Sequence, residues 1–295
     1  MSLLAREDLL TDCPLDAIDG NVFRENFNRR PFKIGHQLAG DSLFSLQRLI
    51  ELAQRLPTAQ VEYNAGALPI SQDPTATPLN GLSISETIRR IEERQSWMVL
   101  KNVQSDPSYR RLLDDCLDVI EPQSEAVAPG MTRREGFIFI SSPGSVTPFH
   151  IDPENNFLLQ VRGEKEVYMF DSQDRTVLGE QDIEAFYTGA HRNLTYRDEY
   201  AARGERFELA PGEGLHFPVI APHYVKNGPF VSISFSITFR TDASDNLAAL
   251  YRFNAQMRRC RLRPSAVGDA PLRDALKLGA LRTARRLKRR LRPSK

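Results

Sequence analysis

Cysteine is scarce: Cys13, Cys116 and Cys260 are the only three in 295 residues, and no C-x-x-C pair occurs. That excludes a disulfide framework and a thiolate zinc finger, and it fits buried thiols in a reducing, cytoplasmic compartment. Long apolar runs are missing too, since nothing approaches the roughly 18 consecutive apolar residues of a membrane-spanning helix. The opening segment MSLLAREDLLTDCPLD has acids among its leucines and no apolar h-region, which argues against a secretory signal. Internal repeats and low-complexity linkers are also absent. What remains is a chain with 41% hydrophobic and 26% charged residues, long enough to bury a core without covalent staples.

Net charge is nearly absent as well, but the formal +1 conceals a split. Residues 251–295 hold 15 Lys/Arg against 2 Asp/Glu, whereas residues 1–250 hold 24 against 36. We therefore divide the chain into an acidic body, 1–250, and a basic helical C-terminal extension, 251–295. In the extension Leu272, Leu276, Ala280, Ala284, Leu287 and Leu291 fall within about a third of a helical wheel, with arginines and lysines over most of the rest. The pattern is imperfect: Arg273 and Arg290 intrude on the stripe, and Leu278 and Leu281 fall outside it. Such a helix suits an anionic partner: the acidic body itself, an anionic membrane at the inner face, or nucleic acid. Docking on the body, or between two subunits of a homodimer, is the favoured reading because an amphipathic stripe most often faces a core. Nucleic acid rests on charge alone and is the least favoured.

Within the body, residues 1–130 mix helices with isolated strands. Leu43–Leu56 has a helical apolar pattern opened by Asp41 or Ser42, Ser83 and Glu86 have capping-box spacing, and 108–120 repeats the helical period. Pro31–Ile34, Ala59–Tyr63 and Trp97–Val103 read as strands, so the helices are expected to flank a sheet. Residues 131–240 differ in kind. Short β-branched and aromatic runs (137–140, 157–161, 166–170, 207–209, 215–218, 230–239) alternate with Gly/Pro turns, as in a sandwich or small barrel. Ser232, Ser234 and Ser236 share one face of a strand, either inside a barrel or on a solvated edge.

Five histidines are present, and two of them carry a pattern. His150 and Asp152 form H-x-D, whose side chains point the same way from extended backbone. His223 follows 71 residues later and can supply a third ligand if the strands return across a barrel. Two imidazoles and a carboxylate on one face of a metal leave open positions, the facial triad of non-haem Fe(II) oxygenases, although zinc or manganese suits the same donors. His216 reads as structural; His36 and His191 read as surface residues. The insertion 171–205 reads as a solvated loop that could also cover a pocket.

The context of the pair narrows this. The stretch Ser142-Pro-Gly-Ser-Val-Thr-Pro-Phe-His-Ile-Asp-Pro-Glu-Asn-Asn-Phe-Leu-Leu-Gln-Val-Arg-Gly-Glu-Lys165 resembles the Jumonji-C, or cupin-like, branch of the 2-oxoglutarate oxygenases, including the asparaginyl hydroxylase acting on hypoxia-inducible factor. The segment Glu213 to Gly228 looks like the strand and turn that bear that family's distal histidine. The resemblance implies a double-stranded β-helix, mainly β with flanking helices, and Fe(II) held by His150, Asp152 and His223. It implies that 2-oxoglutarate is held by Lys165 and Thr147 at its distal carboxylate, with Asn156 and Tyr63 lining its pocket. The implied reaction, with O₂, hydroxylates a C–H bond of an amino-acid side chain or small molecule and releases succinate and CO₂; N-demethylation differs only in the carbon attacked. Here Ala221-Pro222 precedes the distal histidine where the family often has tryptophan, so the substrate-facing rim is expected to differ. A non-enzymatic cupin-like protein binding a metal or small acid, and a nucleic-acid-binding regulator, are the alternatives from other classes.

Overall fold

The structure is a computed structural model that describes residues 13–290, with side chains described as far as residue 284. Seven helices lie within these residues: α1 (Gly20–Asn26), α2 (Leu46–Arg55), α3 (Ile84–Arg89), α4 (Pro107–Val127), α5 (Glu180–Tyr187), α6 (Asp242–Arg259) and α7 (Pro271–Arg290). Their starts follow from side-chain caps. Asp41 caps only a short 3-10 turn, and extended backbone at Ser45 breaks the expected 43–56 helix, so α2 starts afresh from the Ser45 hydroxyl. Ser83 and Glu86 close the expected capping box on α3.

Eleven strands form two antiparallel sheets. They are β1 (Phe32–Gly35), β2 (Val61–Ala65), β3 (Ser96–Lys101), β4 (Thr132–Ser141), β5 (Val146–His150), β6 (Asn155–Arg162), β7 (Lys165–Met169), β8 (Glu205–Leu209), β9 (Glu213–Phe217), β10 (His223–Asn227) and β11 (Ser232–Arg240). The large sheet runs β1-β9-β6-β11-β4-β3-β2 and the small one β5-β10-β7-β8. This is the expected mainly-β barrel with flanking helices. The β6–β7 turn is a corner between the two sheets, not a hairpin within one. Gly163 at that corner has φ +69°, and a Cβ there would lie 2.4 Å from the Val231 carbonyl oxygen, so only glycine fits.

Alternation sorts the side chains of the large sheet. Met98, Leu100, Ile138, Ile140, Phe157, Ile233 and Phe235 face outward and pack against α1–α4 in the main core. Inside, Leu158, Val167, Met169, Leu215 and Val225 form a second cluster between the sheets. Strand β11 lies between β6 and β4, so its serine row is buried inside the barrel and not on a solvated edge. Ser234 donates to Gln160 Oε1 at 2.6 Å and Ser236 to Asn156 Oδ1 at 2.7 Å.

The C-terminal region departs from expectation in two ways. The proposed boundary after residue 250 falls inside α6, whose Tyr251, Asn254 and Ala255 are buried. Second, α7 meets the body through the face holding buried Asp274 and half-buried Lys277, Leu278 and Leu281, whereas Leu272 is 84% and Leu276 74% exposed. Asp274 decides this orientation: it accepts from the Gly268 N–H at 2.8 Å and from Lys277 Nζ at 2.9 Å. The predicted stripe thus faces away from the body as far as Ala284; Leu287 and Leu291 lie outside the described side chains. Of the three thiols only Cys116 is buried; Cys13 and Cys260 are exposed because both sit in short irregular segments outside the core.

Candidate metal centre

Strand β10 runs between β5 and β7, and its register sets the site. His223 pairs with His150 on one side and with Met169 on the other. The two imidazoles face each other with ring centroids 4.1 Å apart. Asp152 follows β5 by two residues, and its Oδ2 lies 3.4 Å from His150 Nε2 and 3.7 Å from His223 Nε2. The ligand atoms of all three residues lie within 4.8 Å of one another. Metal–ligand bonds of about 2.1 Å place neighbouring donors about 3 Å apart, so the set needs only a small contraction to hold one ion.

Both histidines are locked for that role. His150 Nδ1 lies 2.7 Å from the Pro148 carbonyl, and His223 Nδ1 lies 2.9 Å from the Ala221 carbonyl. A carbonyl only accepts, so each Nδ1 carries the proton and each Nε2 turns its lone pair towards the shared point. Burial, with the neighbouring His150, pushes the His223 imidazole down to about 3, which keeps it a neutral donor. At Asp152 burial opposes ionisation, yet the charges around it, the Arg192 guanidinium among them, outweigh it and hold the carboxyl well below the ordinary range.

The turn before His223 carries strain. Ile220 has φ +56°, a left-handed conformation that β-branched residues seldom adopt. Its side chain is buried beside Ile151 and its N–H donates to the Asp152 carbonyl at 2.8 Å. One strained residue therefore ties the distal ligand's turn to the H-x-D segment.

The insertion supplies a wall of the site. Residues 190–194 lie along the end of β5: Ile151 N–H donates to the Arg192 carbonyl at 3.2 Å and Leu194 N–H to the Phe149 carbonyl at 2.9 Å. Arg192 also donates to Asp152 Oδ1 at 3.0 Å, fixing the carboxylate from the side away from the histidines. His191 lines the cavity that reaches His150, together with Glu62, Trp97, Lys101, Phe139 and Thr147; its volume is about 850 Å³. His191 is exposed, as the surface reading expects, and it also stands on the cavity wall. His36 is not a surface residue: it is buried, with Nε2 3.2 Å from the Glu213 carbonyl and Nδ1 accepting the Leu38 N–H. His216 is structural as expected, stacked among Phe27, Phe32 and Phe157.

The remaining candidates divide by strand face. Thr147 lines the cavity and pairs with Val225, whose other neighbour is Val167. Lys165 is one row further along the same face, paired with Asn227; it is 5% exposed. Its ammonium group makes no hydrogen bond or ion pair with the described residues, and burial pulls it down to about 7. Asn156 points into the barrel, held by Ser236. Tyr63 does not join them. It pairs with Met98 and packs against the helical core, because Glu62 and Asn64, one position to either side, take the cavity face of β2. Sequence reasoning missed Arg192 and also Trp97 on β3, which is buried on the cavity wall with its indole N–H unpartnered among the described residues.

The profile of the cupin-like domain family matches residues 82–264. This chain belongs to the cupin-like domain family. The match runs through all of α6 and stops before α7, in line with the packing described above. Lysine-specific demethylase 8 of Danio rerio is 28% identical over 102 residues, 32% of this chain and 24% of that protein. Two solved structures of Escherichia coli YcfD share the fold. One superposes with a TM-score of 0.50 at 14% identity, covering 87% of this chain and 62% of that chain. The other, a ribosomal oxygenase in complex with cobalt and 2-oxoglutarate, gives 0.51 at 15% identity over 92% and 66%. The chain thus spans about a quarter of the demethylase and just under two thirds of each YcfD chain, and at these identities the likeness to YcfD is one of fold.

Proposed function

We propose that this protein is an Fe(II)- and 2-oxoglutarate-dependent oxygenase that hydroxylates a C–H bond of an amino-acid side chain or small molecule. The observation that carries the reading is the order of rows on the small sheet. From one end they run His150–His223–Met169, then Thr147–Val225–Val167, then Asn227–Lys165. A metal triad, a hydroxyl and an unpartnered buried lysine thus follow one another along the barrel. His223 and Lys165 are separated by four residues of strand, about 13 Å at 3.3 Å per residue. A five-carbon dicarboxylate plus the lysine's own stem spans that distance, with one end at the metal and the other at the ammonium. The cobalt and 2-oxoglutarate held by YcfD support the same assignment.

When bound, Fe(II) and 2-oxoglutarate supply oxidation of a C–H bond by O₂, with succinate and CO₂ as coproducts. The chain's own part is positional. His150, Asp152 and His223 would hold the ion, Arg192 orients Asp152, and Lys165 with Thr147 would hold the distal carboxylate. The cavity walls would place the substrate and exclude water. No described helix is long and apolar enough to cross a membrane, and the free thiols accord with a reducing, cytoplasmic setting. Anaerobic titration with Fe(II) and 2-oxoglutarate tests the proposal: a visible charge-transfer band is expected with the native chain and none with Asp152→Ala. Tight zinc binding with no such band would instead indicate a binding protein.

A further inference from the structure

The outward face of α7 is left unused by the proposed chemistry. Leu272 and Leu276 lie one turn apart and are almost fully exposed, with Gly279, Ala280 and Thr283 continuing the same exposed face. Arg273 and Arg282, also exposed, flank it about a quarter turn to either side. Beneath, Asp274 and Lys277 bond to each other, which fixes which side faces out. From Pro271 to the last residue the sequence has ten Lys/Arg and one Asp/Glu.

We infer that this face binds an anionic lipid surface, the leucines entering the acyl boundary and the flanking arginines reaching the headgroups. The charge pattern selects this occupant. Two copies of α7 packed stripe to stripe would bring their arginine flanks together with a single acid each to compensate. Nucleic acid would satisfy the arginines but would leave the leucines in water. An anionic bilayer offers both, an apolar interior beneath a layer of negative charge.

The test uses the full chain and vesicles of phosphatidylcholine with or without phosphatidylglycerol. Co-sedimentation is expected only with phosphatidylglycerol and is expected to fall as salt rises. Leu272→Ser/Leu276→Ser and Arg273→Glu/Arg282→Glu should each weaken binding at least about tenfold. All four positions are exposed, so circular dichroism and the Fe(II)/2-oxoglutarate band should be unchanged. No sedimentation with either vesicle, or sedimentation that survives both double variants, overturns the inference. So does a native dimer that the leucine variant converts to monomer, which would make the face a subunit interface, and so does salt-sensitive RNA binding in place of lipid binding.

Discussion

On the proposed reading, Lys165 is costly to the empty protein and useful to the loaded one. Its ammonium sits in the barrel with no anion beside it, and burial alone pulls it to about 7 from an ordinary 10.5. The sign follows directly. Between these values the unfolded chain holds a proton that the folded chain has lost, so the penalty is full below about pH 7 and vanishes above 10.5. Lys165→Met should therefore raise the melting temperature of the ligand-free protein at pH 7–8 and remove the stabilisation given by 2-oxoglutarate. A charge-assisted contact contributes about 1.5–3 kcal/mol, so Lys165→Ala should raise the 2-oxoglutarate requirement roughly 10- to 100-fold. A dianion needs the charged form, so affinity should fall as pH rises above about 7. Calorimetric titration across pH checks this, and a flat profile would contradict it. At the metal end, His150→Ala or Asp152→Ala should abolish Fe(II) binding while leaving the circular dichroism spectrum native.

Among the elements, the insertion and α6 act as one clamp on the metal strand. Helix α5 leads directly into the segment that holds Asp152, and α6 fixes α5. Arg258 bonds both oxygens of buried Glu184 at 3.0 and 2.9 Å, and Arg252 donates to the Tyr187 carbonyl at 3.0 Å. Removing Arg258 leaves Glu184 buried and unpaired. Because the arginine is about one-third exposed, Arg258→Ala should cost about 2 kcal/mol rather than the full value of a buried pair. Faster amide exchange is expected at 188–194, and unchanged exchange there would show that α5 stands without α6. At the β6–β7 corner, Gly163→Ala should cost about 1–3 kcal/mol in urea unfolding, because its Cβ meets the Val231 carbonyl. These elements also show what a sequence conveys. Strands β4, β6 and β11 were legible from alternation and β-branched runs. The ligand-bearing strands were not: Pro148 interrupts β5, and β10 is the mixed run His-Tyr-Val-Lys-Asn, so only the motif marked them. Lys165 and Thr147, placed by resemblance, lie in neighbouring rows of one face of the small sheet, whereas Tyr63 lies on the opposite face of β2 from the cavity-lining Glu62 and Asn64. The Arg192 clamp is a long-range contact with no local signature.

For the whole molecule, packing and charge divide at the same point. The acidic body and α6 form one folded unit, and α7 adds a basic face whose packing, among the described side chains, rests on four residues. Ending the chain after residue 270 should therefore leave the barrel's melting temperature and Fe(II) affinity nearly unchanged while making the protein acidic. A large loss of either would show that α7 belongs to the core. Another consequence concerns time rather than space. The first two ligands precede the third by more than 70 residues, and β10 reaches its place only by entering between β5 and β7. Pairings so distant in sequence close late, because the intervening loop must be ordered first. On the ribosome, a nascent chain that has exposed H-x-D but not yet His223 has no complete ligand set. The proposed oxidising chemistry cannot begin before the fold that would contain it is closed.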